Sequence, residues 1–121
     1  MDNSANITRM RHVSEAAGLI LRFIEHRTAD EFLSDPMLSS SVLYQFLIIG
    51  EAIRFVDPKI LESYDYPWHL PKSFRNYIAH EYFEINLKQV FNTARDILPG
   101  FKLLIDRMIF DCERHRAQDL Q

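Results

Sequence analysis

The chain carries one cysteine, three glycines and five prolines in 121 residues. With Cys112 alone, no disulfide can form within the chain, which fits a reducing compartment. Three isolated glycines cannot build a phosphate-cradling loop, so the nucleotide-binding folds that depend on one are excluded. The longest purely apolar run, FLIIG at 46–50, is too short to cross a bilayer. The opening MDNSANITRMRHVSEAAG shows no basic start followed by an apolar stretch, so no secretory signal is visible and a cytoplasmic location is expected. Charge of one sign is not in excess either. A net charge of −3 argues against a surface built for extensive nucleic-acid binding, although it leaves room for a local basic patch.

What is present is helical patterning. At 47% hydrophobic and 26% charged, the composition suits one globular domain spanning 1–121. No stretch alternates at period two. Ile7, Met10, Val13, Ala17, Ile20 and Ile24 recur at spacings of three and four, which predicts an amphipathic helix to about His26. Thr28 and Glu31 form a capping-box pattern for a short helical turn. Asp35 and Pro36 fit the start of a second long helix reaching about Val56. That helix is apolar nearly all round, so it is expected at the centre of the fold or covered by another chain. Asp57-Pro58 opens a further turn, and YDYPWHLP is the one irregular connection.

A shorter helix then begins near Pro71 or Ser73. Asn86 can cap the last long helix, with Pro99-Gly100 expected to kink or split it. The polar tail is expected to fray from about 112. The architecture predicted is an all-α, up-down helical bundle with a kinked C-terminal helix.

The chemistry concentrates in RNYIAHEY at 75–82. Metal ligation is a poor fit. His80, Glu81 and Glu84 lack the second histidine of a helical zinc motif, and Cys112 with His115 makes only half a site. No metal or other cofactor is expected. On a helix Asn76 and His80 are i, i+4 neighbours, and Arg75 lies about 140° round the axis from His80. Asn76 can then orient one imidazole nitrogen and leave the other to exchange a proton.

These are the groups that metal-free RNA cleavage requires. Histidine takes a proton from the ribose 2′-OH or gives one to the leaving 5′-oxygen, while arginine braces the phosphate as charge builds on its oxygens. One histidine serves poorly as both acid and base in one step, so two copies facing across a two-fold axis are expected. The apolar second helix points independently to a homodimer. The spacing alone is weak: with ten Arg and five His in the chain, such an Arg–His interval arises about once by chance. A surface arginine, a structural histidine and a packed Tyr82 explain the same letters.

Several segments together say more. IIGEAIRF at 48–55, PW at 67–68, RNYIAHEY at 75–82 and the IN…VF…ARDILP pattern from 85 to 99 occur in order. In these the chain resembles the HepT-like branch of the HEPN superfamily, small helical proteins encoded beside MNT-type minimal nucleotidyltransferases. The resemblance runs from about residue 19 to 110. It implies a homodimeric helical bundle with a composite cleft at the dimer interface, and a metal-independent endoribonuclease toxin with Arg75, Asn76 and His80 in its motif. It also implies that a partner nucleotidyltransferase silences the toxin by adding AMP units to Tyr82, since a tethered polyanion blocks RNA.

Lys72-Ser73-Phe74 stands where relatives often carry a small residue and methionine. Lys72 is a candidate contact to RNA backbone, with a solvated lysine as the plain alternative. Glu51 either pairs with an arginine of the cleft or sits at the polar edge of its helix. The rival reading is a non-catalytic module that docks the nucleotidyltransferase and presents Tyr82.

Overall fold

A computed structural model describes residues 3–119. Helices account for nearly all of it, with no strand among the described residues. The elements are α1 (Ser4–Ile24), α2 (Ala29–Ser34), α3 (Pro36–Arg54), α4 (Pro58–Glu62), α5 (His69–His80), a 3₁₀ turn (Tyr82–Glu84), α6 (Leu87–Asn92), a π segment (Thr93–Ile97) and α7 (Leu98–Asp119). In the bundle, α1 lies between α3 and α7, α3 carries α5 on its other side, and α2 packs on α6.

The helix ends follow from local chemistry. Thr28 accepts from the Glu31 amide while Glu31 accepts from the Thr28 amide, both at 3.1 Å, a reciprocal cap that starts α2. Asp35 accepts from the Leu38 amide at 3.2 Å and Asn86 from the Gln89 amide at 3.1 Å, starting α3 and α6. Pro36 and Pro58 occupy first-turn positions, where a missing N–H costs nothing. Just past the end of α1, His26 takes a left-handed conformation (φ 60°), which reverses the chain into the α2 turn.

The core is one stripe from each long helix. Ile7, Met10, Val13, Ala17 and Ile20 of α1 meet Val42, Phe46, Ile49 and Ile53 of α3, with Phe101, Ile105 and Met108 of α7 on the far side. Burying each such side chain contributes about 1.5–3 kcal/mol, so this stripe is the principal source of stability. Phe32 and Phe91, 5.4 Å apart between ring centroids, join α2 to α6. Taken whole, α3 has the length and composition of a membrane-crossing helix, with mean hydropathy 1.3. Judging by short pure runs overlooks this; half of that stretch is buried inside the bundle.

Three boundaries depart from the sequence expectation. First, α5 starts at His69 rather than near Pro71, because Pro71 fits within the first helical turn. Trp68 anchors this start, its indole N–H donating to the Leu61 carbonyl at 2.7 Å. Second, Pro99-Gly100 does not break the last helix. The chain stays helical from Leu87 to Asp119, and the irregularity falls earlier, as a π turn in which the Leu98 amide reaches the Thr93 carbonyl.

Third, the tail expected to fray from about 112 is helical through Asp119, with Cys112 buried. Side chains tie this helix down. Tyr64 donates to Asp111 at 2.6 Å, and burial together with that carboxylate raises the phenol pKa well above its usual value. Ser14 and Lys102 both donate to Asp106, and Arg11 pairs with Glu113.

Candidate functional site

The site is built where α5 crosses α3. A Cβ placed on Gly50 would lie 2.3 Å from the Arg75 Cβ, 2.8 Å from its Cγ and 3.0 Å from the Pro71 carbonyl oxygen. Only a residue without a side chain lets the two helices approach this closely. A mid-helix glycine costs about 1 kcal/mol relative to alanine, so its presence inside an apolar run is a signal that something must pass over it.

The approach lays the Arg75 side chain along α3. Its Nη2 is 3.7 Å from the Glu51 carboxylate, and its Nη1 donates to the Asn76 carbonyl oxygen at 3.2 Å. Glu51 also faces Arg54 at 3.7 Å, so one carboxylate stands between two guanidiniums. Of the two roles open to Glu51 in the sequence, pairing with Arg75 is the one observed. The Arg75 side chain keeps 34% exposure. Its remaining N–H groups are therefore available to an anion while its position is fixed from two sides.

Asn76 is engaged by Arg75, and no hydrogen bond joins it to His80. The expected orientation of the imidazole by Asn76 is thus replaced by orientation of the guanidinium. His80 is the last residue of α5, exposed, and makes no hydrogen bond or ion pair among the described residues. Helix α5 ends there, so the octapeptide is only partly helical. Glu81 turns the chain, and Tyr82 lies in the 3₁₀ turn rather than on the helix.

The turn is pinned from behind by the Asn86 amide donating to the Tyr77 hydroxyl at 2.9 Å. Tyr82 is 55% exposed and meets Phe83 edge-on at 5.5 Å; Phe83 itself is 96% exposed. Lys72 is exposed one turn before Asn76, without an ion pair. Arg75, Asn76 and Glu51 are thus brought into contact, whereas His80, Tyr82 and Lys72 stand free on the same element or just beyond it.

The opposite flank of α5 is apolar. Leu70, Phe74 and Tyr77 face Phe46 and Ile49 of α3 and Phe101 of α7 across an open groove of about 360 Å³. Among the described residues no three His, Cys, Asp or Glu side chains gather as a metal site.

The description "Ribonuclease HepT-like" belongs to a family model that matches residues 13–108. The chain belongs to the HepT-like ribonuclease family. The match covers α1 from its third turn through the first half of α7, and so includes the whole α3–α5 crossing.

Among curated relatives, one from Methanocaldococcus jannaschii is named "Gamma-glutamylcyclotransferase and putative RNase". It is 24% identical over 108 residues, which are 88% of this chain and 49% of the relative, so the chain spans about half its length. A second from the same organism, named "Putative RNase", is 28% identical over 78% of each chain. A third, "Probable ribonuclease HepT" of Thermococcus cleftensis, is 27% identical over 77% of this chain and 86% of its own. No solved structure gives a significant match.

Proposed function

We propose that the protein is a metal-independent endoribonuclease toxin that cuts RNA by attack of the ribose 2′-OH on the adjacent phosphate. The observation that carries this reading is the pairing of a fixed cation with an exposed, unpartnered imidazole on one helix. Arg75 is held by Glu51 and Asn76, and His80 is exposed and unpartnered at the helix end. Arg75 binds the phosphate and stabilises the charge that grows on its oxygens. His80 moves the proton at the 2′-oxygen or the leaving 5′-oxygen.

A single His80 per chain calls for a second copy. Two protomers related by a two-fold axis set two such helices across one cleft, one histidine as base and the other as acid. The apolar groove beside α5 and the exposed Met37 and Tyr44 of α3 supply surface for that association. Lys72 reaches the RNA backbone from the flank. Tyr82, exposed and without a hydrogen bond, is the group that a cognate MNT-type nucleotidyltransferase modifies with AMP. The phosphates then occupy the cleft and repel substrate. The setting is cytoplasmic, where RNA and such a partner meet.

The test is cleavage of single-stranded RNA in EDTA by the purified protein, with ends analysed for 2′,3′-cyclic phosphate. If His80→Ala cleaves as fast as wild type, the mechanism fails. The accessibility of Tyr82 also suits a second reading, a non-catalytic module that presents this tyrosine to the transferase. That reading predicts modification at Tyr82 with no growth arrest on expression. Arrest relieved by Arg75→Ala excludes it.

A further inference from the structure

Phe55 is a large aromatic side chain left 51% exposed at the end of α3, and two arginines converge on it. The guanidinium carbons of Arg9 and Arg54 lie 4.9 Å and 5.3 Å from its ring centroid. The two come from different helices, Arg9 from the second turn of α1 and Arg54 from the last turn of α3. The corner is held by the Asn6 side chain, whose carbonyl oxygen accepts from the Asp57 amide at 2.9 Å. Among the described residues Arg9 has no carboxylate partner, and Arg54 shares Glu51 with Arg75. The group is therefore net cationic: three guanidiniums against the one carboxylate between them. It also connects to the site without a gap, through Phe55, Arg54, Glu51 and Arg75. Glu51 and Phe55, the cap of α3, are four residues or about 6 Å apart along the axis, a span that one or two extended nucleotides cover.

Resting on the ribonuclease reading above, we propose that Phe55, Arg9 and Arg54 form a subsite that stacks an unpaired base and grips the phosphates of single-stranded RNA next to the scissile bond. Single-stranded RNA is bound through splayed bases stacked on aromatic rings and guanidinium planes, with cations along the backbone, and this platform offers both. It places base recognition on α1 and α3, beside the reacting groups on α5. It also reconciles a net acidic chain with a nucleic-acid substrate, because the positive charge is concentrated beside Arg75. A duplex, whose bases are stacked already, gains nothing from such a platform.

The experiment measures steady-state cleavage of a short single-stranded oligoribonucleotide by wild type, Phe55→Leu and Phe55→Trp. Leucine keeps the apolar bulk that covers the helix corner and removes the ring, whereas tryptophan keeps a stacking face. The expected result is a KM raised about five- to a hundred-fold by Phe55→Leu, with kcat retained and KM restored by Phe55→Trp. Equal KM for wild type and Phe55→Leu overturns the subsite while leaving the ribonuclease reading intact. An equal rise for both variants makes Phe55 a packing residue and also overturns it. Unchanged kinetics with an altered sedimentation coefficient would make the patch a contact between copies instead. A wild type that neither binds nor cleaves RNA sinks the ribonuclease reading itself, and the subsite with it.

Discussion

The middle of α5 and its C-terminal end contrast. Towards its middle, Arg75 is clamped between a glycine-backed helix crossing, a carboxylate and a neighbouring amide. At its C-terminal end, the side chains of His80, Tyr82 and Phe83 stand in solvent with no polar partner among the described residues, on a turn held by backbone hydrogen bonds and by the Tyr77–Asn86 hydrogen bond behind it. A charged group that must meet a phosphate benefits from being placed before substrate arrives, because no reorganisation is then required at the moment of reaction. Groups that complete a site only with a second copy, or that receive a modification, must stay accessible. On the function proposed above, the difference is a division between a preorganised half and a half that awaits its counterpart.

The sharpest way to break the contrast is at the free end. His80→Ala should lower RNA cleavage by about 100-fold or more, the usual scale for a lost acid–base group. Because His80 has no partner, the thermal midpoint should hardly move. A large loss of stability would mean that His80 is a structural residue. Next comes the clamped middle. Gly50→Ala forces α5 away from α3 and should destabilise the fold by about 1–3 kcal/mol, measurable by urea unfolding. Cleavage should fall with it as Arg75 is displaced. Unchanged stability would show that the crossing relaxes freely.

Glu51→Gln is expected to act more mildly, since a partly exposed ion pair contributes about 0–1 kcal/mol. It should leave stability nearly constant and change cleavage by a few-fold (about 1 kcal/mol of transition-state positioning). The direction is informative. A fall means Glu51 positions Arg75, and a rise means it competes with the phosphate. The smallest effect on cleavage is expected for Tyr82→Phe, which should cut RNA as wild type does. It should lose the mass gained on incubation with the cognate nucleotidyltransferase and ATP. Continued modification of Tyr82→Phe would place the acceptor elsewhere.

Much of the fold was legible because helix starts are local events. Thr28, Asp35 and Asn86 each satisfy an amide within three residues, so four letters suffice to read them. The stripe of α1 was legible for the same reason, its period being set by helix geometry alone. The end of α5 at His80 was not, because no glycine or proline marks it and the turn is stabilised by Asn86, six residues further on.

At the site, the identities of Arg75, Asn76, His80 and Tyr82 came from their order and the segments around them. Their contacts did not. Asn76 serves the arginine rather than the histidine, a choice decided by the α3–α5 approach and not by spacing on α5. Gly50 was read as part of an apolar run, Arg54 and Phe55 only as letters of IIGEAIRF, and Arg9 was given no role. Those three meet only because α1 and α3 end at the same corner, which spacing along one helix does not reveal.

The π turn at Thr93–Ile97 has a bearing on how this chain is lined up with its kin. Such a turn amounts to one surplus amino acid looped into a helix, and Val90, Ala94, Leu98 and Phe101 are all buried on either side of it. A relative lacking the surplus would run one letter short here with its inward residues unmoved. Against such a relative a gap would belong inside this helix, a place where alignments ordinarily refuse one. Without it, every downstream correspondence would slip by one position, about 100° round the axis.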